Sequence, residues 1–295
     1  MDGVPVSANA EEYFRRLFVK NLFLVVTALA VCCLSFAGTL SAASNNNQLD
    51  AAVAHSPLTG TDCTFTFTSG VNNTFLQYCV TSNGNIVQLE TPSGHPQISS
   101  DLGEGYGVCD ENTGVAYYDY AGNGNSGNWG PATVLSHNAK SVKIARTTSD
   151  GLWTLTETIT QMAGTLPSAK IAMALKNNSG TVKTALLMRY ANVDADGVVL
   201  NNLDGSINSA YGSNSSSNRN ELDHAFGLVL QNVGTSVFPY VGFVQNGPQG
   251  PAPCNFRAFF ATGPEISVDG SLVMIYEPSM VGHGSATVTV AYKGL

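Results

Sequence analysis

The sequence predicts an all-β protein, a large two-sheet antiparallel β-sandwich, and three observations carry that expectation. From about Thr61 to the C-terminus, short apolar or alternating runs follow one another with Gly, Asn and Pro between them. No stretch beyond residue 43 keeps a helical apolar period, apart from a single turn at Asn220 to Ala225. No repeat of fixed length divides the chain, which leaves a sandwich or another double-sheet fold.

Residues 1–43 read as a secretory signal. Arg15, Arg16 and Lys20 precede an apolar run from Leu22 to about Leu40 that ends in Ser41-Ala42-Ala43. Small residues at the end place cleavage after Ala43. The run approaches the length of a membrane span, but Ser44-Asn45-Asn46-Asn47 follows it in place of the basic anchors of a retained helix. No stable membrane insertion is expected after cleavage. Val31 before Cys32 argues against a lipid-modified cysteine. Phe14-Arg15-Arg16-Leu17-Phe18-Val19-Lys20 resembles the twin-arginine pattern, so that route and Sec both stay open. A secreted or periplasmic protein results either way; the twin-arginine route implies a bacterial host. Residues 44–61 read as a flexible polar leader and 62–295 as one sandwich domain.

The chain has 13 basic and 21 acidic residues, a net charge of −8. Residues 1–43 hold three of each, so the mature balance is ten against eighteen and the net charge stays at −8. That shortage of positive charge argues against nucleic acid and anionic membrane as partners. Only 12% of residues are charged, against ~25% in an ordinary globular chain. Ser, Thr, Asn and Gly supply the polarity instead.

Four cysteines remain after the signal, and an even number in an exported chain predicts two disulfides. Thr64 to Thr68 alternates like a strand, Ser69 to Asn73 is turn-like and Thr74 to Val80 reads as the return. A hairpin centred on Val71 sets Phe67 opposite Phe75 and Cys63 opposite Cys79, near disulfide distance. Cys109 is then left for Cys254. No CxxC or CxxH spacing offers a zinc site.

Further strands are expected at Gly84–Glu90, Gly105–Cys109, Val115–Tyr120, Ser141–Thr147, Leu152–Thr160, Ala169–Lys176 and Val182–Tyr190. Phe226–Gln231, Val237–Val244, Phe256–Ala261, Leu272–Tyr276 and Ala286–Tyr292 follow. Ile171, Met173 and Leu175 point one way and Lys170 and Lys176 the other. Val288, Val290 and Tyr292 oppose Thr287 and Thr289 in the same manner.

Trp153 to Thr158, then Ile171 to Asn178-Ser179-Gly180, then Thr184 to Tyr190 resemble the central strands of galactose-mutarotase-like supersandwiches. Gly84 to Val87 with Pro92-Ser93-Gly94 is similar to that family's opening strands. The resemblance spans about a third of the mature chain and implies a supersandwich fold. It does not imply epimerase activity, because Leu186-Leu187-Met188-Arg189-Tyr190 stands where the family places its catalytic His.

Two constellations bear on binding. Asn192-Val193-Asp194-Ala195-Asp196-Gly197 fits the first half of a calcium loop, with oxygen ligands at alternate positions and Gly at the turn. Leu203 stands where the loop's Glu belongs and Asp204 follows, so Asn192, Asp194, Asp196 and Asp204 beneath an Asn201–Asn220 loop are the candidate ligands for one Ca2+. The plain alternative is a solvated Asp-Gly turn. Tyr117 to Tyr120 runs into the Gly122–Gly130 loop, so Trp129, Tyr118, Asp119, Tyr120 and Asn128 are the candidate carbohydrate site: flat apolar faces beside planar polar groups. The plain alternative buries the tyrosines and uses Trp129 as a loop anchor.

Glu104, Asp110, Glu111, Glu221, Asp223 and His224 form no recognisable acid/base pair in sequence, and no serine lies in a Gly-x-Ser-x-Gly elbow. The leading expectation is an exported, non-catalytic module that binds carbohydrate or cell-surface polymer. A carbohydrate-active lyase or hydrolase and a structural matrix protein are the alternatives.

Overall fold

The computed structural model describes residues 63–98, 103–121, 125–214, 226–234, 239–246, 252–255 and 264–295. All belong to one compact unit, Asn46–Leu295. The signal, the leader, Phe256–Ala261 and the Asn220–Ala225 turn lie outside the described residues. Among those described there is no α-helix, and no helix long and apolar enough to cross a membrane.

The first strands are β1 (Phe65–Ser69), β2 (Leu76–Val80), β3 (Ile86–Glu90), β4 (Pro96–Ile98), β5 (Glu104–Asp110), β6 (Val115–Ala121) and β7 (Asn125–Gly127). Then come β8 (Thr133–Asn138), β9 (Ser141–Thr147), β10 (Trp153–Met162), β11 (Ser168–Asn177), β12 (Lys183–Val193), β13 (Asn201–Ser206) and β14 (Ser209–Ser213). The last are β15 (Gly227–Asn232), β16 (Pro239–Asn246), β17 (Glu265–Val268), β18 (Gly270–Tyr276), β19 (Ser279–Met280) and β20 (Ser285–Gly294).

They form a nine-stranded sheet ordered β17-β13-β14-β15-β20-β11-β10-β9-β8 and a seven-stranded one ordered β16-β18-β12-β5-β6-β7, with β19 also pairing β12. A four-stranded meander, β1-β2-β3-β4, completes the fold. Alternation decides which face turns inward. Trp153, Leu155 and Ile159 of β10, Ile171, Met173 and Leu175 of β11, and Val288, Val290 and Tyr292 of β20 are all buried. They share one core with Tyr106 and Val108 of β5, Leu187 of β12 and Met274 of β18. Each large apolar side chain so buried contributes about 1.5–3 kcal/mol. Phe67, Tyr78, Ile86 and Leu89 bring the small sheet into that core. The fold is the expected all-β sandwich, with a third sheet added.

Both disulfides are those expected, Cys63–Cys79 and Cys109–Cys254. The hairpin register is not. Phe67 pairs with Tyr78, and Thr66 rather than Cys63 stands opposite Cys79. A 3-10 turn at Asn72–Thr74, anchored by Thr74 Oγ1 donating to the Val71 carbonyl at 2.9 Å, takes up residues assigned above to the return strand. Cys63 therefore reaches Cys79 diagonally from just before β1.

The expected Asn201–Asn220 loop is also corrected, since β13 and β14 form a hairpin through residue 213. Its Asn, Ser and Gly read as loop because they are also turn residues, although both strands lie inside the nine-stranded sheet. β8, an edge strand exposed at every position, was missed because no buried alternation marks it.

Candidate functional site

The seven-stranded sheet has two faces, and the five expected sugar-site residues divide between them. Asp119 of β6 points inward and is buried, while Tyr120, on the opposite face, stacks with half-buried Tyr118 at 5.6 Å between ring centres. Trp129 packs edge-on to Tyr106 (5.6 Å) and Tyr117 (6.2 Å), with the Arg146 guanidinium 5.7 Å from its ring centre. Exposed Asn128 holds a left-handed backbone (φ 65°), and its Nδ2 donates to the Ala116 carbonyl at 2.7 Å. These five do not line one surface.

The four calcium-loop residues sit on β12, on the turn that follows it and on β13. Asn192, next to last in β12, is buried; Asp194 takes the N-cap position of a 3-10 turn at Ala195–Gly197. Asp196, at φ 58°, accepts from or pairs with His95 Nδ1 at 2.9 Å. Asp204 lies on β13 and accepts from Tyr211 OH at 3.1 Å. Among the described residues no three His, Cys, Asp or Glu side chains group as a metal set.

What the fold does assemble is a charged cluster inside the sandwich. Glu104 (β5), Asp119 (β6), Arg146 (β9), Glu157 (β10) and Arg189 (β12) all occupy inward positions of their strands and all are buried. Arg189 holds Glu104 with two bonds, Nε to Oε1 at 2.5 Å and Nη2 to Oε2 at 2.8 Å, and reaches Glu157 Oε1 through Nη1 at 2.5 Å. Glu104 also accepts from Ile86 N (2.6 Å) and Tyr292 OH (2.8 Å). Arg146 pairs with Asp119 and donates to Tyr106 OH at 3.1 Å.

The Thr81–Asn85 turn between β2 and β3 closes the cluster. Its Gly84 carbonyl accepts from Arg189 at 3.1 Å, Asn83 Nδ2 donates to Asp119 at 3.1 Å, and Asn85 Nδ2 donates to the Glu104 and Asp119 carbonyls. Burial raises the Glu157 carboxyl to about 8; Arg189 opposes the rise, and the charges of Glu104 and Asp119 add to it. Burial likewise raises Glu104, against the pull of Arg189. A carboxyl of pKa near 8 has the right acidity for proton transfer at neutral pH. It is nevertheless sealed: Glu104 and Arg189 are 0% exposed and Glu157 2%. These groups meet one another.

Sequence reasoning singled out Glu104 but passed over Glu157, Arg146, Arg189, Tyr106 and Tyr292. A signal was there. Glu157 interrupts the inward row Trp153, Leu155, Ile159, and Arg189 interrupts Ala185, Leu187, Ala191, each a charge in an apolar slot.

The small sheet carries an open groove of ≈490 Å³ on its outward face. Thr66 of β1, Gln77 and Cys79 of β2, Gln88 and Glu90 of β3 and Pro96 of β4 line it. Pairing puts Cys79 beside Gln88 and Gln77 beside Glu90, so the amides stand on adjacent strands one row apart. Among the described residues no Lys, Arg or His lines the groove.

No protein-family model matches the chain, and no curated protein matches it. Among solved structures it is similar to a bacterial glucoamylase complexed with acarbose (11% identity, TM-score 0.48, 77% of this chain and 32% of that one). It is also similar to a heparan sulfate lyase HepC mutant from Pedobacter heparinus (9%, 0.44, 79% and 35%) and to a protein from Synechocystis (7%, 0.43, 78% and 95%). The chain spans about a third of the length of the two enzymes. At these identities and TM-scores the likeness is loose, and what those enzymes act on is a property of theirs.

Proposed function

We propose that the protein is an exported, non-catalytic sandwich that binds a neutral carbohydrate polymer along the open face of its four-stranded sheet. The observation that supports this reading is the groove. It is open to solvent, and side-chain amides, a hydroxyl and one carboxylate line it beside Tyr78, Leu89 and Ile98, without any cation among the described residues. Amides both donate and accept, which suits the vicinal hydroxyls of a sugar. Glu90 repels anionic glycans, and no cation offsets that repulsion. The sealed interior carboxylates support a non-catalytic role, since a general acid must reach the bond it protonates.

An array of neutral and acidic glycans tests the reading. The mature protein should retain neutral polymers, and Gln88→Ala should weaken that binding by about tenfold, the worth of one or two hydrogen bonds. Failure to retain any glycan, or equal binding by Gln88→Ala, rejects it.

A further inference from the structure

The nine-stranded sheet turns one face to the core and the other outward, and the outward face gathers positive charge. Strand pairing sets its outward positions in rows across β9, β10, β11 and β20. One row is Ala145–Thr156–Ala174–Thr287 and the next is Lys143–Thr158–Ala172–Thr289. Lys176 stands in the row on one side of these two and Lys170 in the row on the other. The two lysines are six residues apart on β11, about 20 Å at the usual rise of a strand. Lys143, Lys170 and Lys176 are all exposed. Lys293 follows on β20, opposite Ser168.

The charge balance of the chain makes this placement informative. Eight Lys and Arg residues beyond the signal are described. Arg146 and Arg189 belong to the interior cluster, and Lys183 pairs with Asp110 at 3.1 Å. The other five are Lys140, Lys143, Lys170, Lys176 and Lys293, and all lie on β9, β11 and β20 or in the β8–β9 turn. Among the described residues, no carboxylate occupies an outward position of β9, β10, β11 or β20, since Glu157 points inward. Lys143, Lys170 and Lys176 pair with no carboxylate there. A chain of net charge −8 thus keeps its uncommitted cations on one surface.

Such a surface is complementary to an anionic partner. Its other side chains choose among polyanions. Single-stranded nucleic acid stacks its bases on aromatic rings, and these outward positions hold none. A lipid surface takes up apolar side chains, and Met162 alone among these positions is large and apolar. Hydroxyls are what the face does offer. Thr156, Thr158 and Thr289 can donate to carboxylate or sulfate oxygens and exchange hydrogen bonds with sugar hydroxyls. We propose that this face docks a linear anionic polysaccharide whose carboxylate or sulfate groups meet Lys143, Lys170 and Lys176. The surface shares no residue with the groove on the small sheet. Its ion pairs are exposed, so added salt weakens the complex.

The test is affinity electrophoresis of the mature protein through gels that contain heparin, polygalacturonate, neutral dextran or double-stranded DNA. Each mobility is taken relative to a polymer-free gel, which removes differences in net charge between variants. Heparin or polygalacturonate should retard the wild type, and salt should relieve the retardation. Lys143→Gln/Lys170→Gln/Lys176→Gln should bind the acidic polymer about tenfold more weakly, at about two- to threefold per exposed charge pair. Lys143→Arg/Lys170→Arg/Lys176→Arg should bind as wild type does. Exposed positions such as these scarcely affect folding. No retardation of wild type by either acidic polymer, equal retardation of the Gln variant, or equal retardation of wild type by DNA overturns the proposal. Self-association of wild type that the Gln variant loses, read by sedimentation, would give the face to a second copy and overturn it too. The Gln variant should still retain any neutral polymer that the wild type binds, so this proposal and the groove reading fail separately.

Discussion

Glu157 has fewer recorded donors than the other carboxylate on Arg189. Glu104 receives Arg189 twice, Ile86 N and Tyr292 OH, whereas Glu157 receives Arg189 Nη1. Three carboxylates face two guanidiniums in the cluster, so full ionisation would leave one buried charge uncompensated, at high cost. A proton on Glu157 removes that charge, and burial accordingly lifts its pKa from 4.5 to about 8. A carboxyl raised on folding binds more protons in the native than in the unfolded state between those values, so stability falls as pH rises through them. Urea unfolding between about pH 5 and pH 9 should show that decline in wild type and a shallower one in Glu157→Gln. Equal slopes would mean that Glu157 is ionised throughout. The residue's role was half legible: a lone glutamate in an apolar row shows that something must meet it, but residues 104, 157 and 189 are too far apart in sequence to be seen as partners.

The strands whose inward positions are apolar were legible almost to their ends, as β9 and β11 show. The edge strands β8 and β17 were not, because they expose much of their surface, and neither were the interior strands β13 and β14, because their Ser, Asn and Gly are also turn residues. The Thr81–Asn85 turn was only half legible: residues 81–83 fell between expected strands, but Gly84 and Asn85 were read as the start of a strand that begins at Ile86, although the turn joins the small sheet to the interior cluster. Gly84 is required there. It sits at φ 95°, and a Cβ on it would strike the Glu157 carboxylate. Gly114, at φ 73° with nothing within 4 Å, is a matched control. Alanine at either position costs about 1–2 kcal/mol for the left-handed backbone. Gly84→Ala should cost clearly more than Gly114→Ala in urea unfolding, since it also displaces a buried ion pair. Equal losses would show that the turn yields and does not pin the cluster.

Across the molecule, the two disulfides close loops of very different length. Cys63–Cys79 spans 16 residues within one hairpin, and Cys109–Cys254 spans 145 and joins β5 to the turn over its outer face. The pairing was legible because one hairpin fixed two of the four cysteines and left the others no choice; the diagonal register was not, because the 3-10 turn gives no sequence sign of its length. By loop-closure entropy the long link stabilises by about 5 kcal/mol and the short one by about 3. Cys109→Ser/Cys254→Ser should therefore lower the urea midpoint more than Cys63→Ser/Cys79→Ser, with both variants keeping a cooperative transition, because the sandwich core does not depend on either link for its contacts. The reverse order would show that loop-closure entropy does not decide the ranking, as when residual structure in the unfolded chain already holds residues 109 and 254 together.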